Sequence, residues 1–276
     1  MPELPEVETI ARDLRAQNLP GSRVEEAIIL HPKIIRGGAT PFARGLRGTT
    51  VASVGRHGKL LLIDLNCEPD GGLVLTVHLG MTGQLTLVPE GTPLASHTHA
   101  VFGLNDGRQL RFRDIRRFGR LALLGGREAQ EVLKRDLGPD ALEIGEEDLA
   151  SLLRSRRVGI KTLLLNQRLL AGVGNIYANE ILFAARINPW RAAGGLSGEE
   201  VHRLHHALKT VLSAAIEGRG STISDYADVS GRAGNFQTRH QVYRKERCPS
   251  CGGPILRVAG GGRPTFYCPA CQPAIF

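Results

Sequence analysis

Apolar residues in the first segment fall at Val7, Ile10, Ala11 and Leu14, the i, i+3, i+4, i+7 spacing of one helical face. Pro5 suits the first turn of that helix, and residues 18–22, with Pro20-Gly21 among them, end it. The period then changes. Short β-rich runs separated by glycine turns predict strands at 24–30, 51–54, 59–65, 73–79, 84–88, 99–104, 109–113 and 120–124. Asn105-Asp106-Gly107 is a hairpin turn between two of them. Many short strands at this spacing indicate a sandwich or a barrel.

Beyond about residue 128 the pattern turns helical. Leu149, Leu152 and Leu153 mark one face of a helix over 146–154, and 161–167 forms a second. A turn of small residues, Leu170-Ala171-Gly172-Val173-Gly174, leads into a helix over 175–187. Ser197 and Glu200 form a capping box for a long helix ending near Ile216. Residues 218–234, rich in Gly, Ser and Asp, read as a mobile loop, and the last forty or so residues are cysteine-bearing. The expected fold class is therefore α+β and multidomain: a helix-led β domain over 1–130, a helical domain over 131–234, and a small module over 235–276.

Charge narrows the partner. Lys and Arg number 35 against 27 Asp and Glu, a net charge of +8 that favours a polyanion without distinguishing DNA, RNA or anionic lipid. The acidic, proline-broken start is unlike a signal peptide, and no apolar run is long enough to span a bilayer. A cytoplasmic protein with no membrane partner is expected.

Four of the five cysteines cluster near the C-terminus, and Cys67, alone beside a Glu-Pro-Asp-Gly-Gly turn, is expected to have no role. Cys248-Pro-Ser-Cys251 and Cys268-Pro-Ala-Cys271, sixteen residues apart, have the spacing of a four-thiolate zinc site. Four ligands leave no open position, so one structural Zn²⁺ is expected. A redox role fits poorly, because the pairs are duplicated and lie outside any βαβ unit. Between them, Gly260-Gly261-Gly262-Arg263 reads as the tip of a two-stranded finger that presents Arg263 to a phosphate. Taken alone, a solvated arginine on a turn is the commoner case.

Met1-Pro2-Glu3 carries a further possibility. Removal of Met1 leaves a secondary amine at Pro2, which can attack a sugar aldehyde carbon, with Glu3 as a proton shuttle. On these residues alone an ordinary chain start is the simpler reading.

Several segments in one order change that balance. Residues 2–9 (Pro-Glu-Leu-Pro-Glu-Val-Glu-Thr), Gly58-Lys59-Leu60-Leu61, His78-Leu79-Gly80-Met81-Thr82-Gly83 and Arg116-Arg117-Phe118-Gly119 resemble formamidopyrimidine-DNA glycosylases. So do residues 172–180 (Gly-Val-Gly-Asn-Ile-Tyr-Ala-Asn-Glu) and the cysteine finger, and the resemblance covers essentially the whole chain. It implies an N-terminal helix and β-sandwich, a helix–two-turn–helix domain and a zinc finger. It also implies a monomeric base-excision enzyme, both glycosylase and AP lyase, acting on double-stranded DNA with oxidised purines such as 8-oxoguanine, preferably opposite cytosine. Pro2 would displace the base at C1′ as a Schiff base, Glu3 would move protons at the sugar, and β- and δ-elimination would follow.

By the same resemblance Lys59, His78, Asn175 and Arg263 grip phosphates around the lesion. Met81, Arg116 and Phe118 fill the void left by the flipped nucleotide. Apolar Met and Phe suit a wedge, and Arg116, a donor only, suits the O2 and N3 acceptors of an orphaned cytosine. As isolated residues Met81 and Phe118 would default to core. Lys161 matches a lysine of the lesion-binding region, and 219–231 matches the segment that closes over the flipped base. Ile115 stands where many relatives have Pro, and Ser221-Thr222-Ile223-Ser224 varies the lesion loop. Two other readings remain open here: an endonuclease VIII-like enzyme for oxidised pyrimidines, and a zinc-containing nucleic-acid-binding protein without catalysis.

Overall fold

The computed structural model of the chain describes residues 1–66, 72–222, 226–259 and 263–274. Cys67, Ile223-Ser224 and the finger-tip glycines Gly260-Gly261-Gly262 lie outside the described residues. The chain folds into two compact units, Met1–Lys134 with Gly218–Asn235, and Arg135–Glu217 with Phe236–Phe276.

In the first unit, helix α1 (Leu4–Ala16) buries Leu4, Val7, Ile10, Ala11 and Leu14, the stripe predicted from the spacing. Asn18, at φ 54°, ends it in the left-handed region, where its short polar side chain is tolerated. All eight predicted strands are present: β1 (Val24–Ile29), β2 (Thr50–His57), β3 (Leu60–Asn66), β4 (Leu73–His78), β5 (Gly83–Pro89), β6 (Thr98–Leu104), β7 (Arg108–Asp114) and β8 (Arg120–Gly125). They form two antiparallel four-stranded sheets, ordered β1-β6-β7-β5 and β2-β3-β4-β8. Alternation along β3 and β5 buries Leu61, Ile63, Leu65, Leu85 and Leu87 in one core with α1. The unit is a sandwich, because an alternating strand must bury one face against another layer.

Helix α2 (Ala39–Leu46) is absent from the sequence-based reading. Pro41 and Gly45 disguise it, yet Pro41 sits in the first turn, where no intrahelical N–H is needed, and Phe42 and Leu46 bury one face four residues apart.

Segment 218–235 also departs from expectation. The sequence-based boundary puts 218–234 with the helical domain, as a mobile loop. Its described residues instead belong to the first unit, with Tyr226 and Val229 in the core. Arg219 pairs with Asp13 at 2.6 Å and with Asp228. The Asp228 carboxylate also accepts from the Ser230 and Arg232 backbone at 2.9 Å each. An interrupted unit of this kind leaves no mark in local composition.

After α3 (Gly126–Asp136), the second unit contains α4 (Glu146–Leu153), α5 (Ile160–Leu165), α6 (Asn175–Ala184) and α7 (Gly198–Glu217). The predicted capping box starts α7: Ser197 N–H donates to Glu200, and Glu200 N–H to Ser197 Oγ. Helix α6 is buried from Ile176 to Phe183 and packs against α5 and α7, while α4 packs against α7. The finger hairpin, β9 (Leu256–Val258) and β10 (Thr265–Tyr267), groups with this unit. Glu180 on α6 holds the segment leading into the finger, accepting from the backbone of Gln241, Val242 and Tyr243 at 2.7–3.1 Å. Burial raises the Glu180 pKa against those three donors.

Candidate active site and metal centre

Glu3 is the N-cap of α1, and Pro2, immediately before it, is buried. Glu3 itself is 3% exposed. A carboxylate three residues on fixes the pair. Glu6 Oε2 accepts the Glu3 N–H at 2.7 Å, and Glu6 Oε1 accepts the Ser221 N–H at 2.7 Å. Both oxygens are therefore committed, and Glu6 joins the first turn of α1 to segment 218–235. A side chain at Gly220, at φ 77°, would place its Cβ 2.7 Å from Glu6 Oε1, so only glycine allows this approach. The Met1 side, in contrast, is open: Met1 is 40% exposed.

Lys59 sits with Gly58 in the tight turn between β2 and β3 and is largely buried. Register places the next residue, Leu60, opposite His78 at the end of β4. Burial lowers the His78 pKa, helped by the positive charges of Lys59, Arg36 and Arg120. The ring is therefore neutral at pH 7. The Gly80 N–H donates to its Nδ1 at 3.2 Å, so the ring proton sits on Nε2. His78 thus carries an N–H donor beside the Lys59 cation.

Met81 and the 115–119 turn are held by one buried acid. Asp114 Oδ1 accepts from Thr82 Oγ1 at 2.5 Å and from the Arg116 N–H at 3.2 Å, and its Oδ2 accepts the Gly119 N–H at 2.7 Å. Gly80, at φ 63°, lies so close that a Cβ there would be 2.6 Å from the Gly119 nitrogen. Arg117, at φ 57°, turns the chain between its neighbours, and the Arg116 guanidinium lies 4.9 Å over the Phe118 ring. Both apolar residues point outward, Met81 at 38% and Phe118 at 50% exposure, so neither is core. Ile115 beside them is also exposed.

In the second unit, Asn175 is the first residue of α6, after an N-cap glycine that supplies no side-chain cap. Its Nδ2 donates to the Pro264 carbonyl at 3.2 Å, while its Oδ1 accepts nothing among the described residues. Lys161 is 6% exposed, and its Nζ donates to that same carbonyl at 3.0 Å and to Thr265 Oγ1 at 2.9 Å. The Phe266 N–H donates to Asn179 Oδ1 at 3.0 Å. Lys161, Asn175 and Asn179 therefore hold the strand next to Arg263, whose own side chain is exposed.

The four cysteine sulfurs lie within 4.8 Å of one another, with Cys248 to Cys271 at 3.7 Å and Cys251 to Cys268 at 3.5 Å. A zinc–thiolate tetrahedron with bonds of about 2.3 Å has edges of about 3.8 Å, so the set fits one Zn²⁺. Burial opposes ionisation of Cys248, but the backbone N–H groups of Cys251 and Ser250 outweigh it and hold that thiol at about 7. The second knuckle is fixed by buried Gln272, which accepts from the Cys268 N–H and donates to the Ile187 carbonyl. The zinc is structural.

The first unit thus assembles Pro2 with Glu3, Lys59 with His78, and Met81 with Arg116 and Phe118. The second assembles Lys161, Asn175, the Arg263 turn and the zinc ligands. Sequence reasoning missed Glu6, Asp114 and Glu180 as organising acids. Only Glu6 left a local signal, as the fourth residue of an N-terminal capping box with Glu3.

Three family descriptions match the chain in order: the formamidopyrimidine-DNA glycosylase N-terminal domain over residues 1–121, the formamidopyrimidine-DNA glycosylase H2TH domain over 137–227, and a zinc finger found in FPG and IleRS over 245–274. A formamidopyrimidine-DNA glycosylase of Pelotomaculum thermopropionicum is 45% identical over 279 residues, covering 99% of each chain. One of Thermomicrobium roseum is 46% identical over 293 residues, also covering 99% of each. Among solved structures, the Lactococcus lactis Fpg bound to abasic-site DNA superposes with a TM-score of 0.90 at 32% identity, covering 99% of this chain and 100% of that one. Neither the endonuclease VIII-like reading nor the non-catalytic one is favoured by these matches. The chain belongs to the formamidopyrimidine-DNA glycosylase family.

Proposed function

We propose that this protein removes oxidised purines from double-stranded DNA in base-excision repair and cuts the strand at the resulting site, as a cytoplasmic monomer. The observation that carries this reading is the buried Pro2-Glu3 pair at the N-terminus of α1, fixed by the two committed oxygens of Glu6. Once Met1 is removed, the Pro2 amine attacks C1′ and forms a C–N bond while the glycosidic bond breaks and the base leaves. Glu3 protonates the sugar ring oxygen as the ring opens to the iminium. Loss of a C2′ proton then expels the 3′ phosphate, and a second elimination expels the 5′ phosphate. Lys59, His78, Asn175 and Arg263 bind backbone phosphates, which position the DNA without reading its sequence. The zinc holds the finger that carries Arg263 and takes no part in the bond changes.

The direct test is borohydride trapping on an abasic duplex. A covalent protein–DNA adduct mapping to Pro2 is expected, and failure to trap one with active, Met1-free protein overturns the lyase assignment.

Opposite-base preference has its own readout. The exposed apolar Phe118 and Met81 occupy the space of the extruded nucleotide, and Arg116 donates to O2 and N3 of the cytosine left behind. Charged hydrogen bonds contribute roughly 1.5–3 kcal/mol. Arg116→Ala is therefore expected to slow 8-oxoguanine excision opposite cytosine by about tenfold to a hundredfold. Excision opposite adenine, which presents an N–H donor there, is expected to fall less. Single-turnover rates opposite all four bases measure this, and an equal loss opposite each would show that Arg116 does not read the opposite strand.

A further inference from the structure

A cleft of about 590 Å³ in the second unit is lined by Trp190 and Arg263 together with Thr162 and Asn166. Trp190 is the only tryptophan of the chain, and half of its surface is exposed. Scattered exposed aromatics need no explanation, but this one is fixed in place. Its edge meets the Tyr267 ring at 4.9 Å and 81°, and its backbone N–H donates to Asn188 Oδ1 at 3.1 Å. Asn188 Nδ2 in turn donates to the Gln272 carbonyl at 2.9 Å, on the zinc knuckle.

The charge around the cleft has one sign. No carboxylate is among its described lining residues, and the two ionic ones are Lys161 and Arg263. Lys161 is engaged with Pro264 and Thr265, which leaves the exposed Arg263 as the cation facing a ligand. The flanking segment adds exposed Arg154, Arg156 and Arg157. It runs beside the Trp190 segment, with the Gly194 N–H donating to the Arg156 carbonyl at 2.8 Å and Ile160 N–H to the Arg191 carbonyl at 2.8 Å.

We infer that this cleft is a nucleotide subsite, in which a nucleobase stacks on Trp190 while its phosphate meets Arg263. The volume falls within the range of small-ligand sites, roughly 300–1,000 Å³. A half-exposed indole and an exposed guanidinium lining one cleft are the pairing that holds unpaired nucleotides without sequence preference, because every base has a π-face. Neither a phosphate alone nor an apolar ligand alone would use both side chains. The ligand is either a nucleotide of the bound DNA strand, which rests on the DNA-repair reading above, or a free nucleotide, which does not.

The sole tryptophan makes the cleft its own reporter. Titrating the zinc-loaded full chain with thymidine 5′-monophosphate is expected to quench Trp190 emission saturably, whereas inorganic phosphate leaves it unchanged. By calorimetry, Trp190→Phe is expected to retain nucleotide binding. Trp190→Ala is expected to weaken it roughly 5- to 100-fold, the usual loss on removing a stacking partner. If the DNA strand is the natural occupant, a saturating duplex with a tetrahydrofuran abasic analogue quenches Trp190 and abolishes further response to the nucleotide. If free nucleotides are, the duplex leaves Trp190 emission unchanged and the nucleotide still quenches it, with an affinity lowered through the shared Arg263. Absence of saturable quenching, equal quenching by phosphate, or wild-type nucleotide affinity in Trp190→Ala overturns the subsite. Borohydride trapping on the same preparation separates the two readings. An adduct without nucleotide quenching removes the cleft and leaves the enzyme, and quenching without an adduct does the reverse.

Discussion

Protein that retains Met1 is expected to give no borohydride-trapped adduct with an abasic duplex, and protein that has lost it to give one in full. With Met1 attached, the Pro2 nitrogen is a tertiary amide, whose lone pair is delocalised into the carbonyl and cannot attack carbon. Cleavage turns it into a secondary amine. An α-amino group has a pKa of about 7.7–8.0, well below that of lysine. A useful fraction is then unprotonated near neutral pH. Burial of Pro2 beside the Glu3 N-cap keeps that nitrogen in one place, and the exposed Met1 is accessible to removal. Mass spectrometry of the trapped and untrapped fractions gives the comparison. Pro2→Gly keeps an amine, now primary and without the ring's constraint, so reduced trapping is expected rather than none. Trapping at full yield from a Met1-bearing fraction would place the nucleophile elsewhere.

The strands, the lead helix and the zinc ligands were legible because each rests on a local rule. Alternation over 60–66 and 83–89 repeats every two residues, the α1 stripe repeats with the helical turn, and the two Cys-x-x-Cys pairs carry their spacing on the surface of the sequence. What stayed hidden rests on long separations. Asp114 holds the Met81 and Arg116 turns through Thr82, thirty-two positions away. Glu180 holds the segment leading into the finger by backbone groups more than sixty positions on. Backbone donors have no identity in a sequence, so an acid that serves only them looks like any other acid. The same reason explains segment 218–235, whose glycines and serines suggest a loop until Ser221 is seen against Glu6. Lys161 shows a subtler limit. Its motif position gave no sign of the contacts by which its buried ammonium holds Pro264 and Thr265, next to Arg263.

Loss of zinc is expected to cost the protein its finger and leave its sandwich. The module has little core of its own: all three residues of β9 are exposed, and the two buried cysteines, Cys248 and Cys268, are themselves ligands. In modules this small, metal binding supplies most of the folding free energy, roughly 10–16 kcal/mol for structural zinc near neutral pH. Cys268→Ser removes a fully buried thiolate and leaves a hydroxyl that is a poor zinc ligand. The contacts from Lys161, Asn175 and Asn179 cannot replace it, since each takes hold of a strand already formed. With the hairpin lost, Arg263 is no longer held, and its charged phosphate contact, worth roughly 1.5–3 kcal/mol, goes with it. Affinity for an abasic-analogue duplex is expected to fall at least about tenfold. The core around Leu61, Val77, Phe102 and Phe112 lies wholly in the first unit, so β-sheet circular dichroism should persist. Metal analysis, circular dichroism and fluorescence anisotropy on one Cys268→Ser preparation test all three points together. Unchanged DNA affinity after complete zinc loss would show that the finger does not carry the grip assigned to Arg263.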